Sequence, residues 1–412
     1  MTEIIILGCL SLAMGLLGYA ALRRRYLLGL YALCYSVPFL GLSRALWADQ
    51  VIIWPIGNYT FDDSAEIVFR LSVMWLTGLC GMLGTLLSIS LVPKIRLGNL
   101  KLIAYDEIDV KVVAWLFFAL SILYISVRVL YADKALGAFT GVESFAIYSI
   151  IVFFAYALRS RKRKLLAAGL TLAIFYSYAN SRTGDRDFVV LLIAMILGAM
   201  YLYSELITLR KLSFVILGMA TLLGAGIYVS MERLNVAITE SSISQYFLYN
   251  SWNAIILPVI DQLTNHWNGD HTRFGQTYVD MLLSAAPSPV YAYFGMVKPI
   301  ALNNPADWYY IVGLGGMHAA GVGFENFGLP GVFIDAAVSM LLVRLLDQAN
   351  YTDSYLRYLT YMLCAASVMH WLWYGAIYML NAMVFVGSLA ALLITVSICR
   401  QLLLKFTLPL RN

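Results

Sequence analysis

Arg182 and Arg186 stand four residues apart in SYANSRTGDRDFVV (177–190), a charged patch between two long apolar runs. On a helix that spacing turns both side chains to one side. With the helix starting near Ser181 or Thr183, they lie at its N-terminus, where free N–H groups and the dipole already favour an anion. Guanidiniums grip phosphate bidentately, so the pair suits a phosphate-bearing ligand; the plainer alternative is ion pairing with Asp185 and Asp187. Arg273, in NGDHTRFGQTYVD, is a second phosphate contact of the same kind, with a salt bridge to Asp270 or Asp280 as its alternative. Arg233 in MERLN and Lys298 before Pro299 complete the cationic set; Glu232 and lipid headgroups are their competing partners. Two residues in GLGGMHAAGVGFENFGLPGVF (313–333) can relieve a hydroxyl of its proton, His318 and Glu325. Loop hydrogen bonding and helix capping are their alternatives, and His266, His271, Asp270 and Asp280 are further acceptors nearby.

The elements that must position these residues are membrane helices. The chain of 412 residues is 61% apolar and 12% charged with a mean hydropathy of +0.78, outside the range of soluble domains. We read an all-α polytopic membrane protein with about eleven spans. They lie near 4–22, 26–46, 68–92, 110–130, 144–158, 165–180, 187–205, 212–230, 329–346, 357–380 and 382–400. Arg23-Arg24-Arg25 follows the first run where a signal peptide would carry a small-residue cleavage site, so that run is expected to be retained.

Most of the 28 basic residues fall on one side when the spans alternate from a cytoplasmic Arg23–Arg25. The N-terminus is then outside and the C-terminus inside. The net charge of +5 follows from this bias and does not point to nucleic acid. All five cysteines (Cys9, Cys34, Cys80, Cys364, Cys399) fall inside spans, so neither a disulfide framework nor a thiolate metal site is expected. The inner loops are too short for an ATPase or a nucleotide-sugar domain. The chain reads as a single membrane domain, 1–412, holding one long outer segment, 231–328. Within that segment 242–263 and 274–294 read as amphipathic helices stopped by Pro258, Pro287 and Pro289. A loop of this length with its own helices is usually functional, which puts the chemistry on the outer face.

The order NSRTGDR, RFGQTY, a proline-rich stretch, then GLGGMHAAGVGFENFGLPGVF resembles the Wzy-type O-antigen or oligosaccharide repeat-unit polymerases. It covers about residues 165–390; the first four spans match only as apolar helices. The resemblance implies a metal-independent, cofactor-free, inverting membrane glycosyltransferase of the GT-C superfamily in the bacterial inner membrane. Its donor and acceptor would both be undecaprenyl-diphosphate-linked oligosaccharides, with membrane lipids and a chain-length regulator as partners and the active site facing the periplasm. Arg182, Arg186, Arg273, Arg233 and Lys298 would hold the diphosphate, and His318 or Glu325 would serve as base. The related O-antigen ligases carry a His-Asn pair before the acid; here Ala319 follows His318, which favours polymerase over ligase.

Three features compete. Asp62-Asp63 in the first outer loop offers oxygen ligands to a divalent metal, though helix capping explains the pair as well. His370 in SVMHWLWYG reads as a packed polar contact. A flippase of lipid-linked sugar would favour repeated halves and broken helices meeting at mid-membrane, and no such symmetry is visible.

Overall fold

The computed structural model describes residues 1–39, 51–53, 57–59, 64–91, 105–130, 140–181, 187–203, 257–268, 273–284, 288–297, 317–348, 354–374 and 377–407, with a few positions between 217 and 228. In chain order the elements begin with α1 (Thr2–Leu22) and α2 (Tyr26–Ser36, continued by a 3-10 turn, Val37–Phe39). An antiparallel ribbon of β1 (Val51–Ile53) and β2 (Gly57–Tyr59) follows, with Val51 opposite Tyr59. Next come α3 (Ser64–Leu91), α4 (Glu107–Leu130), α5 (Thr140–Ser160), α6 (Arg163–Ser181) and α7 (Asp187–Leu202). Three short helices, α8 (Leu257–Asn265), α9 (Gln276–Ser284) and α10 (Ser288–Tyr293), precede α11 (Ala319–Gln348), α12 (Tyr355–Tyr374) and α13 (Ile377–Thr407).

Apart from the ribbon, the described structure is helical, and five helices are long and apolar enough to cross a membrane: Thr2–Leu22, Ala65–Ser88, Glu107–Leu130, Ala319–Asp347 and Tyr378–Leu404. Helices also occupy the expected spans near 144–158, 165–180, 187–205 and 357–380. The expected eighth span, 212–230, lies largely outside the described residues. Two boundaries differ from the sequence reading. Pro258 lies in the first turn of α8 where it was expected to end a helix, because the first turn needs no N–H from proline. α12 is described to Tyr374 and α13 from Ile377, where spans ending at 380 and starting at 382 were expected.

Contacts group the chain into two compact units. The first comprises Met1–Ile95, Ala237–Gln348 and Ser367–Asn381, and α11 packs there along α3 and against α2. Between membrane helices the apolar effect gives little drive, so close approach and hydrogen bonds must hold them. The α3–α11 seam has both. Gly81 faces the carbonyl of Phe333 with no room for a Cβ, Thr85 Oγ1 donates to the Ala337 carbonyl at 3.0 Å, and Arg344 Nη1 donates to the Leu86 carbonyl at 3.0 Å. At the end of α11, Asp347 is a buried cap for α2: Oδ2 accepts the Leu28 N–H at 2.8 Å and Oδ1 that of Leu27 at 3.4 Å, while Arg25 donates to the Asp347 carbonyl. Asp347→Ala should cost about 1–2 kcal/mol, the usual worth of such a cap. It should lower the melting temperature in detergent, with Asp347→Asn intermediate because its amide oxygen still accepts. Equal melting of Asp347→Ala and the parent would remove the cap from the account.

The second unit comprises Arg96–Val236, Ala349–Ala366 and Ala382–Asn412. Its centre is α5, buried on every side through Ile150, Ile151, Val152 and Phe153. Tyr355 and Tyr358 donate to the Val152 and Gly198 carbonyls at 2.7 and 2.8 Å. Arg400 pairs with Asp106 and, at 2.9 Å, with the fully buried Asp109. These contacts are structural, and the residues with chemical promise among those described lie in the first unit.

Candidate functional site

The site grows from a break in α11. Phe327 (φ −145°, ψ 18°) and Gly328 (φ 63°, ψ −150°) leave helical geometry, and Gly328 occupies a backbone region open essentially to glycine alone. The break divides α11 into an upper helix, 319–326, and a long lower one from 329, which is where the sequence places the start of the ninth span. Pro330 sits in the first turn of the lower helix, where its missing N–H costs nothing. The two halves touch through Gly323 and Gly331, each occupying space that the other's Cβ would need.

The turn Arg273–Gln276 docks on the upper half. Phe274 and Gly275 have φ of 45° and 89°, which folds the chain back so that the Arg273 N–H donates to the Glu325 carbonyl at 2.9 Å. The Gly275 N–H donates to Asn326 Oδ1 at 3.0 Å, and Asn326 Nδ2 returns to the Val322 carbonyl at 2.8 Å, which fixes the amide's orientation. In this frame Arg273 Nε meets Glu325 Oε1 at 2.7 Å. The arginine side chain is 46% exposed and the glutamate 8%, so the pair reaches from the surface inward. Glu325 Oε2 is buried and has no hydrogen-bond partner among the described residues, an acceptor left open beside a guanidinium. Trp267 stacks on Phe324 at 5.8 Å, and Arg70 lies over Trp267 at 5.2 Å. The salt bridge thus joins Arg273 to Glu325, the residue the sequence reading set aside as a separate base.

His318 is fully buried, edge-on to Tyr35 (4.8 Å) and Phe39 (5.0 Å). Its Nδ1 accepts the Ala320 N–H at 3.1 Å, so the other nitrogen carries the proton and donates to the Tyr35 carbonyl at 3.1 Å. Both nitrogens are occupied, Nδ1 in capping the start of α11 and Nε2 on the Tyr35 carbonyl of α2, a placement that leaves neither nitrogen open to a substrate hydroxyl. Burial pushes its pKa from 6.5 down to about 3. Between those values the unfolded chain takes up a proton that the folded one refuses, so this contribution to stability is whole above about pH 6.5 and fades as pH falls toward 3. The slope is at most about 1.4 kcal/mol per pH unit. Melting of the solubilised protein between about pH 7 and about pH 5 should therefore fall less steeply in His318→Gln than in the parent, whatever the variant's stability at neutral pH. Parallel curves would place a protonated ring in the native state.

Two groups escaped the sequence reading. Tyr278, on the first turn of α9, donates to Asp335 Oδ1 at 3.1 Å, and burial together with the Asp335 charge raises its phenol well above the ordinary range. Asp335 is the acid in the apolar run GVFIDAAVSMLL; an ionisable residue within a span was the available signal. Asn326, beside Glu325, is the second, and only the fold shows that its amide holds the turn.

Of the other expected site residues, Arg182, Arg186, Arg233 and Lys298 lie outside the described residues, as do His271, Asp270, Asp62 and Asp63. The helix start expected near Ser181 or Thr183 bears on residues 182–186, which lie outside the described ones; α6 is described to Ser181 and α7 from Asp187. Asp280 accepts from Gln276 Nε2 at 2.8 Å on the exposed side of α9. His370 stacks on Tyr378 at 4.8 Å. The five cysteines are free thiols. Comparison of the chain with family models, with curated proteins and with solved structures finds no match.

Proposed function

We propose that the protein is an inverting membrane glycosyltransferase that polymerises undecaprenyl-diphosphate-linked oligosaccharide repeat units at the periplasmic face of the bacterial inner membrane. The observation that supports this best is the docking of RFGQ on GFENFG: two of the stretches that carry the polymerase resemblance meet, and they meet through an acid and an arginine. In the proposed step a hydroxyl at the non-reducing end of the incoming unit attacks the anomeric carbon of the growing glycan. The bond from that carbon to the diphosphate oxygen breaks with its electron pair, and the hydroxyl proton passes to Glu325. The carboxylate takes the proton as the new bond forms. Arg273 orients Glu325 through Nε, and its exposed remainder is available to the diphosphate. Arg182, Arg186, Arg233 and Lys298 are the further cations proposed to neutralise the leaving group. No metal or other cofactor enters this scheme. The orientation proposed puts the N-terminus and 231–328 in the periplasm and the C-terminus in the cytoplasm. Cysteines placed at Lys162 and Asn268 should then react with impermeant reagents from opposite sides.

The test is reconstitution. Lipid-linked oligosaccharide extracted from cells lacking the gene, mixed with purified protein in vesicles, should give a ladder of lengthening glycans and free undecaprenyl diphosphate, with EDTA making no difference. Transfer of glycan to a lipid A core would indicate a ligase, and movement across the bilayer without joining a flippase; either result overturns the proposal.

A further inference from the structure

The described stretches 276–284 and 288–297 present an apolar face that nothing in the described protein covers. On α9 the residues Thr277, Met281 and Ser284 are buried, while Val279, Leu282 and Leu283, at helical i, i+3, i+4 spacing, are 48%, 62% and 49% exposed. A water-facing helix would reverse that pattern. α10 is tied to α9 by the Tyr291 hydroxyl on the Leu283 carbonyl, and at and beyond its end Tyr293, Phe294 and Val297 are 84%, 67% and 92% exposed. From Met281 to Val297 the sequence holds no charge, and Asp280 and Lys298 bound it.

We infer that α9 and α10 form an interfacial anchor whose apolar face is immersed in the headgroup and upper acyl region of the membrane. Continuity with the spanning helix selects lipid as the occupant. α9 is fixed to α11 by Tyr278 on Asp335 and by the turn at Arg273, and α11 turns Ile334, Val338 and Leu341 outward, 54%, 60% and 39% exposed, in a segment apolar and long enough to cross the bilayer. Phe327, half-exposed at the break and close to Gly275, lies between the two surfaces. The face of α9 therefore prolongs a lipid-facing surface. An uncharged stretch rich in aromatic side chains, closed by a lysine, has the composition of an interfacial helix pair. The inference rests on the membrane character of α11 and is independent of the proposed reaction.

The test uses the full-length protein in vesicles of phosphatidylethanolamine and phosphatidylglycerol, with benzoylphenylalanine at position 282, 294 or, as an exposed comparison, 268. Irradiation should yield phospholipid adducts at 282 and 294 and none at 268, read by mass spectrometry. A cross-linked dimer from 282 or 294 would make a second copy the occupant and overturn the inference, as would absence of adducts in monodisperse, membrane-inserted protein. The unmodified protein gives an independent reading: Met296, 60% exposed to solvent in the bare chain, should escape oxidation by hydroxyl radicals in vesicles. Rapid oxidation of Met296 would also overturn it.

Discussion

On the proposed reaction, Glu325→Gln is expected to remove the polymer and leave folded protein in the membrane. The substitution keeps shape and an oxygen that can accept from Arg273 Nε, where Oε1 now sits at 2.7 Å, so the docked turn persists. What it removes is the open, buried Oε2 as a proton acceptor. Loss of a general base slows a transfer by about 10²–10⁴-fold, enough to reduce a ladder of glycans to single units. Arg273→Lys should fall almost as far, because a lysine keeps the charge but loses the planar edge that holds one carboxylate while facing an anion. The measurement is the glycan ladder from cells carrying each variant, normalised to membrane-extracted protein. A normal ladder from Glu325→Gln would take this acid out of the reaction, and the role of base would pass to another residue of the outer segment.

Gly331→Ala is expected to have the largest effect on folding. Its Cβ would fall on the Gly323 carbonyl oxygen, and in the opposite direction a Cβ on Gly323 would come within 2.7 Å of the Gly331 oxygen. Both obstacles are backbone and cannot rotate aside, so the halves of α11 must separate. Overpacking of this kind costs about 3 kcal/mol or more. Gly328→Ala, which forces a side chain into the strained corner of the break, should cost about 1–3 kcal/mol. Gly8→Ala, with nothing within 4 Å, should be silent. The yield of monodisperse protein after detergent extraction gives the order, and recovery of Gly331→Ala at the level of Gly8→Ala would contradict the close contact.

The long helices were legible where apolar runs are continuous and flanked by charge, and so was the break at 327–328, beside the expected start of the ninth span, because Gly328 and Pro330 mark a break that periodicity alone would hide. Pairing across the outer segment was not. Sequence offers Arg273 two nearer acids, Asp270 and Asp280, and only the left-handed turn at Phe274 and Gly275 carries it back to Glu325. The setting of His318 was hidden for a similar reason. Glycines around it suggest an open loop, whereas its burial is supplied by Tyr35 and Phe39, hundreds of residues earlier. Asp335 had a signal that was not used: a carboxyl in a span is costly enough to need a partner, and Tyr278 is that partner.

The cap that Asp347 places on α2 also bears on how the chain is made. The N–H groups of Leu27 and Leu28 leave the ribosome 320 and 319 residues before their acceptor does. Until Asp347 emerges, the start of α2 has no such acceptor, so its seat cannot be completed in the order of synthesis. A ribosome-bound intermediate ending before residue 347 should therefore expose the Arg23–Tyr26 corner to protease, and one extended through α11 should protect it. Assembly of the first unit is a late event, in which one of the last segments made secures one of the first.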